Sequence, residues 1–131
     1  NKSKFFHSFQ DGLEDIYKKE WNSLFQLNLE IINFFKAYFD IKKKLYISSE
    51  LNLTGYGNEK LVNICKYFDA KYFVVKKNTE DYHPKEYFNN YGIDFKYHEN
   101  THSEYKQMGN IFIPNLSILD YAANNGNSLI I

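Results

Sequence analysis

Tyr105 and Gln107 stand two residues apart, so an extended segment would point both polar ends to one side. Such a pair suits hydrogen bonding to a polar ligand. Ser48-Ser49 lies where a strand is expected to end and a loop to begin. Hydroxyls there can take phosphate or sugar oxygens with help from loop N–H groups. Capping or turn chemistry is the plainer use of the same residues. The following GYGNEK stretch, residues 55–60, is too short for a phosphate-cradling GxxxxGK[ST] loop. Neither serine sits in a GxSxG elbow, which argues against a hydrolase nucleophile. Lys76 and Lys77 end an expected strand, where one ammonium could face an anionic ligand or both could simply be solvated.

His98-Glu99-Asn100-Thr101-His102 spells HExxH. On a helix it would set two imidazoles one turn apart for zinc, with the glutamate as base. The context opposes that reading. An alternating strand runs straight into His98, and Asn100-Thr101 is poor helix material. No third histidine follows, so no metal is expected here. Cys65 falls on the apolar face of a helix, which makes it a small core residue rather than a nucleophile. His83 precedes Pro84 and reads as a cap or turn residue. Asp120 sits on a final helix, four residues after Leu116, and the sequence leaves it inward or solvated.

The elements that would hold these residues alternate. Leu13 and Ile16-Tyr17 mark a short helical piece. A long helix is expected over about Lys19 to Asp40, with Leu24, Leu27, Ile31, Phe34 and Tyr38 as its apolar stripe. Lys44 to Ser48 reads as a short buried strand. A helix follows from Asn58, taken as its N-cap, to Phe68, with Leu61, Ile64, Cys65 and Phe68 inward. Lys71 to Val75 is a continuous apolar run of the kind parallel sheets use. Pro84 opens a third helix that Gly92 closes. Ile93 to Tyr97 alternates like a half-buried strand. Asn115 or Ser117 caps the last helix, and Asn124-Asn125-Gly126 stops it. This α, β, α, β, α, β, α order predicts a mostly parallel sheet flanked by helices. Sites on such sheets lie at the carboxyl ends of strands.

Composition bounds the function. The 131 residues fit one domain, 1–131, with a real core. Hydrophobic residues are 44% and charged residues 24%, an ordinary globular balance. Net charge is zero, so neither nucleic acid nor an anionic membrane is an expected partner. Every basic residue is lysine, so an anion site must use ammonium groups, backbone N–H groups or hydroxyls without guanidinium forks. Lys42-Lys43-Lys44 is the one basic run, placed where solvated lysines are expected. One cysteine excludes an internal disulfide and fits a reducing, cytoplasmic setting. No apolar run is long enough to cross a bilayer, so no membrane insertion is expected. No cofactor is expected. A chain that opens on Asn1 and carries three expected strands reads as part of a larger domain.

Several stretches in order resemble the C-terminal portion of the WbqC-like protein family. They are YISSEL at 46–51, LVNICKYFDAKYF at 61–73, YF…GIDFKY at 87–97, Tyr105-x-Gln107, FIPNLSILD at 112–120 and Asn125-Gly126. The series covers roughly residues 15 to 126, and FIPNLSILD after Y-x-Q is its most specific element. The resemblance implies a bacterial role in surface-polysaccharide (O-antigen-type) synthesis. It implies transfer of an amino-acid or acyl group, such as glycine, to an aminosugar or nucleotide-sugar. The family's opening Q-P-x-Y-x-P motif and its first strands are not in this chain. The KKNTEDYHP stretch, residues 76–84, also stands where many members carry a glycine-containing loop.

The sequence therefore predicts an α/β fold, a mostly parallel Rossmann-like sheet flanked by helices, as a partial domain. The expected substrate site gathers Ser48, Ser49, Lys76, Tyr105 and Gln107. The serines would hold substrate oxygens, Lys76 would offset phosphate or carboxylate charge, and Tyr105 and Gln107 would orient the acceptor. No residue reads as a nucleophile. The alternative is a non-catalytic module that binds a sugar or a partner protein. Open sheet edges predict a homodimer or a complementing N-terminal half.

Overall fold

A computed structural model describes residues 3–77, 82–98 and 103–129. Its elements are α1 (Gln10–Lys18), α2 (Leu24–Tyr38), α3 (Gly57–Tyr67), β1 (Tyr72–Lys76), α4 (Lys85–Asn89), β2 (Asp94–His98) and α5 (Ile118–Asn125). Short 3-10 turns occupy Phe6–Ser8 and Ser48–Glu50. The chain divides into two compact units, Asn1–Lys43 with His102–Ile131, and Lys44–Thr101. Among the described residues no helix is long and apolar enough to cross a membrane.

In the first unit the expected short helical piece is α1, and the expected long helix is α2, which begins at Leu24 rather than near Lys19. Lys19 takes an extended backbone, with ψ of 148°, and ends α1. The Trp21 indole N–H donates to the Ile16 carbonyl at 2.9 Å, which satisfies one of the carbonyls that a helix end leaves open. Ser23 then caps α2, its hydroxyl accepting from Gln26 N at 3.3 Å. The expected stripe of α2 meets the core through Ile31, Phe34 and Tyr38, which are half-buried against it. Phe35 and Phe39 are buried, whereas Leu24 is 70% exposed. Leu24 stands in the first turn, and the helix meets the core near its other end. That core joins Phe9, Leu13, Phe35, Phe39, Ala122 and Ala123. Its aromatic rings meet edge to face, with Phe9 6.0 Å from Phe35 and 5.4 Å from Tyr38.

Helix α5 closes this core. Of the two residues that could cap it, Ser117 does so, accepting from Leu119 N at 3.2 Å. Asn115 instead takes a positive φ of 62° in the approach. Gly126 ends the helix at φ 73°, and its N–H donates to Ala122 O at 2.9 Å. A Cβ built there would lie 3.1 Å from the Phe5 ring. The stop signal is therefore also a packing requirement.

In the second unit β1 and β2 pair in parallel, from Tyr72 opposite Asp94 to Lys76 opposite His98. Each strand starts one residue later than the hydrophobic pattern suggests. Val62, Cys65, Val75, Phe88, Ile93 and Phe95 form the core against one sheet face. Phe88 is fully buried and stacks on Phe73 with centroids 5.2 Å apart and planes 2° apart. The apolar run in β1 does not mark burial on both faces: Val75 is buried, and Val74 is 63% exposed.

The expected strand at Lys44 to Ser48 is absent. Residues 44–47 run outside helix and sheet, Leu45 and Tyr46 are exposed, and Ser48 opens a 3-10 turn. A strand needs a partner, and Tyr46 spends its ring elsewhere: it packs on Phe68 at 4.6 Å, with the Lys44 ammonium 4.7 Å from its centroid. Among the described residues the sheet is thus two parallel strands flanked by helices. Asn58 is not the cap of α3, which Tyr56 precedes. Its amide donates to Tyr82 O at 3.1 Å, and its Oδ1 meets His83 Nδ1 at 2.9 Å. Both ends of that side chain fasten the 82–83 turn.

Candidate functional site

The FIPNLSILD stretch delivers one carboxylate, Asp120, on the first turn of α5. Tyr105 and Gln107 approach it from the preceding segment. The Tyr105 hydroxyl donates to Asp120 Oδ2 at 2.7 Å, and Gln107 Nε2 donates to the same oxygen at 3.2 Å. Asn124, one turn further along α5, donates to Asp120 Oδ1 at 3.2 Å and to its carbonyl at 2.8 Å. A carboxylate accepts at both oxygens, so three donors hold it in one orientation.

Gln107 is itself buried and clamped. Its Oε1 accepts from Ile113 N at 2.8 Å, and its Nε2 donates to Ile113 O at 2.9 Å. The amide therefore reads the backbone just before Pro114 like a paired strand. This fixes the 107–113 loop and sets the end of the chain segment that enters α5. Tyr105 is positioned by rings: Phe112 lies 5.3 Å away and Tyr121 5.1 Å away, both edge to face. Tyr121 also reaches Phe39 at 6.0 Å, which couples the polar cluster to the aromatic core. Burial raises the Tyr105 phenol above its ordinary pKa, and its hydrogen bond to Asp120 adds to that rise. Tyr105 is accordingly a neutral donor at physiological pH.

Chemically this is a held carboxylate with a phenol and two carboxamides around it. It can orient polar groups, and both oxygens of its carboxylate already accept hydrogen bonds. Asp120 is the member that sequence reasoning left undecided, and Asn124 was read only as part of the helix stop. Their spacing of four on a helix was the available signal, since it places them on one face.

The other expected site residues lie in the second unit. Ser48 and Ser49 are exposed on the 3-10 turn, within Ser48–Glu50. Lys76 is exposed at the carboxyl end of β1, in register with His98. Cys65 is buried, and burial pushes its thiol pKa up, away from the reactive thiolate. His98 closes β2, so the HExxH stretch begins on a strand. Glu99 and His102 lie outside the described residues.

An uncharacterized protein of Mycobacterium tuberculosis, Rv1507c, is 28% identical over 123 residues. The match covers 92% of this chain and 53% of that protein, so the chain spans about half the length of the curated relative it matches. No solved structure matches the chain. The family model for the WbqC-like protein family matches residues 1–130, and the chain belongs to that family.

Proposed function

We propose that the chain serves surface-polysaccharide biosynthesis, as a transferase-type domain that moves an amino-acid or acyl group onto an aminosugar or nucleotide-sugar. The observation that carries this reading is the convergence of Tyr105, Gln107 and Asn124 on Asp120 in a chain of the WbqC-like family. In this reading Tyr105 and Gln107 orient the acceptor together with Asp120. Ser48 and Ser49 take substrate oxygens, and Lys76 offsets phosphate or carboxylate charge. Catalysis proceeds by positioning, which suits a carboxylate already held by three donors. The parallel β1–β2 pair is the kernel of a larger Rossmann-like sheet, extended by a complementing half or by a second copy. The setting is the reducing cytoplasm, where nucleotide-sugars are made and a lone thiol persists.

One observation favours a second reading. Gln107 commits both ends of its amide to Ile113 and Asp120, as a structural clip would. A non-catalytic sugar- or protein-binding module is the corresponding function. The two readings separate in one experiment. The full chain is titrated with a panel of uridine-diphosphate aminosugars, and the sugars are then weighed by mass spectrometry after incubation with aminoacyl and acyl donors. Saturable binding with a heavier sugar product supports the transferase. Binding without product supports the module. No binding across the panel removes the nucleotide-sugar substrate.

A further inference from the structure

A cavity of about 330 Å³ opens in the first unit, lined by Ser3, Lys4, Lys106, Gln107, Met108 and Asn124. Its volume falls in the range of small-molecule sites, roughly 300 to 1,000 Å³. Its walls are held by the chain itself. Gln107 is clamped to Ile113 and Asp120. Asn124 is fixed by its two bonds to Asp120. Ser3 donates to the Met108 sulfur at 3.0 Å. The lining therefore does not need to be assembled by a ligand.

The charge of this lining is one-sided. Lys4 and Lys106 carry its only formal charges, and both are positive. The ion pairs among the described residues are Lys18–Glu14, Lys19–Glu30 and Lys42–Asp40, and neither pocket lysine takes part. The Lys4 ammonium instead lies 4.8 Å from the Phe5 ring centroid. Asp120 is the carboxylate bonded to two of the lining side chains, and its oxygens already accept from Tyr105, Gln107 and Asn124. Two lysines in one lining, with no acid beside them, favour a negative guest. In a chain without arginine, lysine ammonium groups and backbone N–H groups are the means of binding one; the Gln107 and Asn124 amide donors are already committed to Ile113 and Asp120.

We infer that this cavity is a binding site for a small anion, a phosphate or carboxylate group on a compact molecule, held by Lys4 and Lys106 over a floor formed by Gln107 and Asn124. Its lining includes none of Ser48, Ser49 and Lys76, and the inference does not depend on the sugar-transfer reading. The test uses the full chain, labelled with nitrogen-15, titrated with inorganic phosphate and separately with acetate at matched ionic strength in sodium chloride. Saturable shifts are expected at the backbone amides of Lys106, Gln107 and Met108 and at the Asn124 side-chain amide. Lys106→Met and the double variant Lys4→Met/Lys106→Met should weaken binding at least tenfold, with spectra that remain dispersed. Lys60→Met, in the other unit, should leave it unchanged. A response to phosphate alone assigns a phosphate ester, and a response to acetate alone assigns a carboxylate. Shifts that equal those of chloride, or that survive in the double variant, overturn the site.

Discussion

Tyr105 Oη and Gln107 Nε2 donate to a single atom, Asp120 Oδ2, from positions two residues apart in the chain. The arrangement predicts energetic coupling between the phenol and the carboxylate. Tyr105→Phe removes one donor and should cost about 1 kcal/mol. Asp120→Ala leaves the phenol without its acceptor and takes one of two bonds from each amide, and should cost about 1–3 kcal/mol. Urea unfolding of both single variants and the double variant measures the interaction. Costs that add to within about 0.3 kcal/mol would mean that the two residues do not act as a unit.

Alkaline titration should expose the same bond. The folded-state pKa of Tyr105 is raised above its ordinary value of 10.0, by burial first and by Asp120 second. The contribution is therefore full below the unfolded pKa and is lost as pH climbs through the folded one. Chemical denaturation at pH 8 and again above pH 10 checks the sign. The unaltered chain should lose more stability over that interval than Tyr105→Phe does. Equal losses would mean that the phenol titrates alike in both states.

How far the sequence carried this site depends on the range of each interaction. The end signals of α5 are local: Ser117 bonds two residues ahead and Gly126 four residues back, so both were legible. The orientation of Asp120 was not, because its partner Tyr105 lies fifteen residues away and reaches it only once the loop has closed. The same distinction explains the failed strand at Lys44 to Ser48. Its pattern was right for a strand, but strand formation is decided by a partner that the pattern does not contain. A break before the long helix was legible near Lys19, but its exact place was not: α2 starts only after the Ser23 cap. Lys76 stands at the end of β1 as its position suggested, whereas Ser48 and Ser49 lie on a 3-10 turn rather than at the end of a strand.

Gly126→Ala should be disproportionately harmful for so small a change. The position combines a φ of 73° with a Cβ approach of 3.1 Å to the Phe5 ring. Strain at such a backbone costs about 1–3 kcal/mol before the ring has to move. Thermal unfolding should show a clear fall in Tm. A fall smaller than that caused by Asn127→Ala, at the exposed neighbouring position, would contradict the packing described.

Cys65 should behave as a core residue toward reagents. Burial raises its thiol pKa, so the thiolate fraction near neutrality falls below that of a free cysteine. Native protein should react slowly with a thiol-specific reagent at pH 8, and urea-unfolded protein should react at once. Rapid native labelling would require an open route to α3.

Trp21 gives the molecule an optical asymmetry. It is the single tryptophan of the chain, and its indole is tied to the carbonyl that ends α1. The unit formed by residues 44–101 contains tyrosine but no tryptophan. Emission excited at the red edge of the absorbance band therefore follows the α1–α2 corner alone, while tyrosine emission samples both units. One cuvette thus holds two clocks, and the melting of the two units can be timed against each other without a dye, a tag or a mutation.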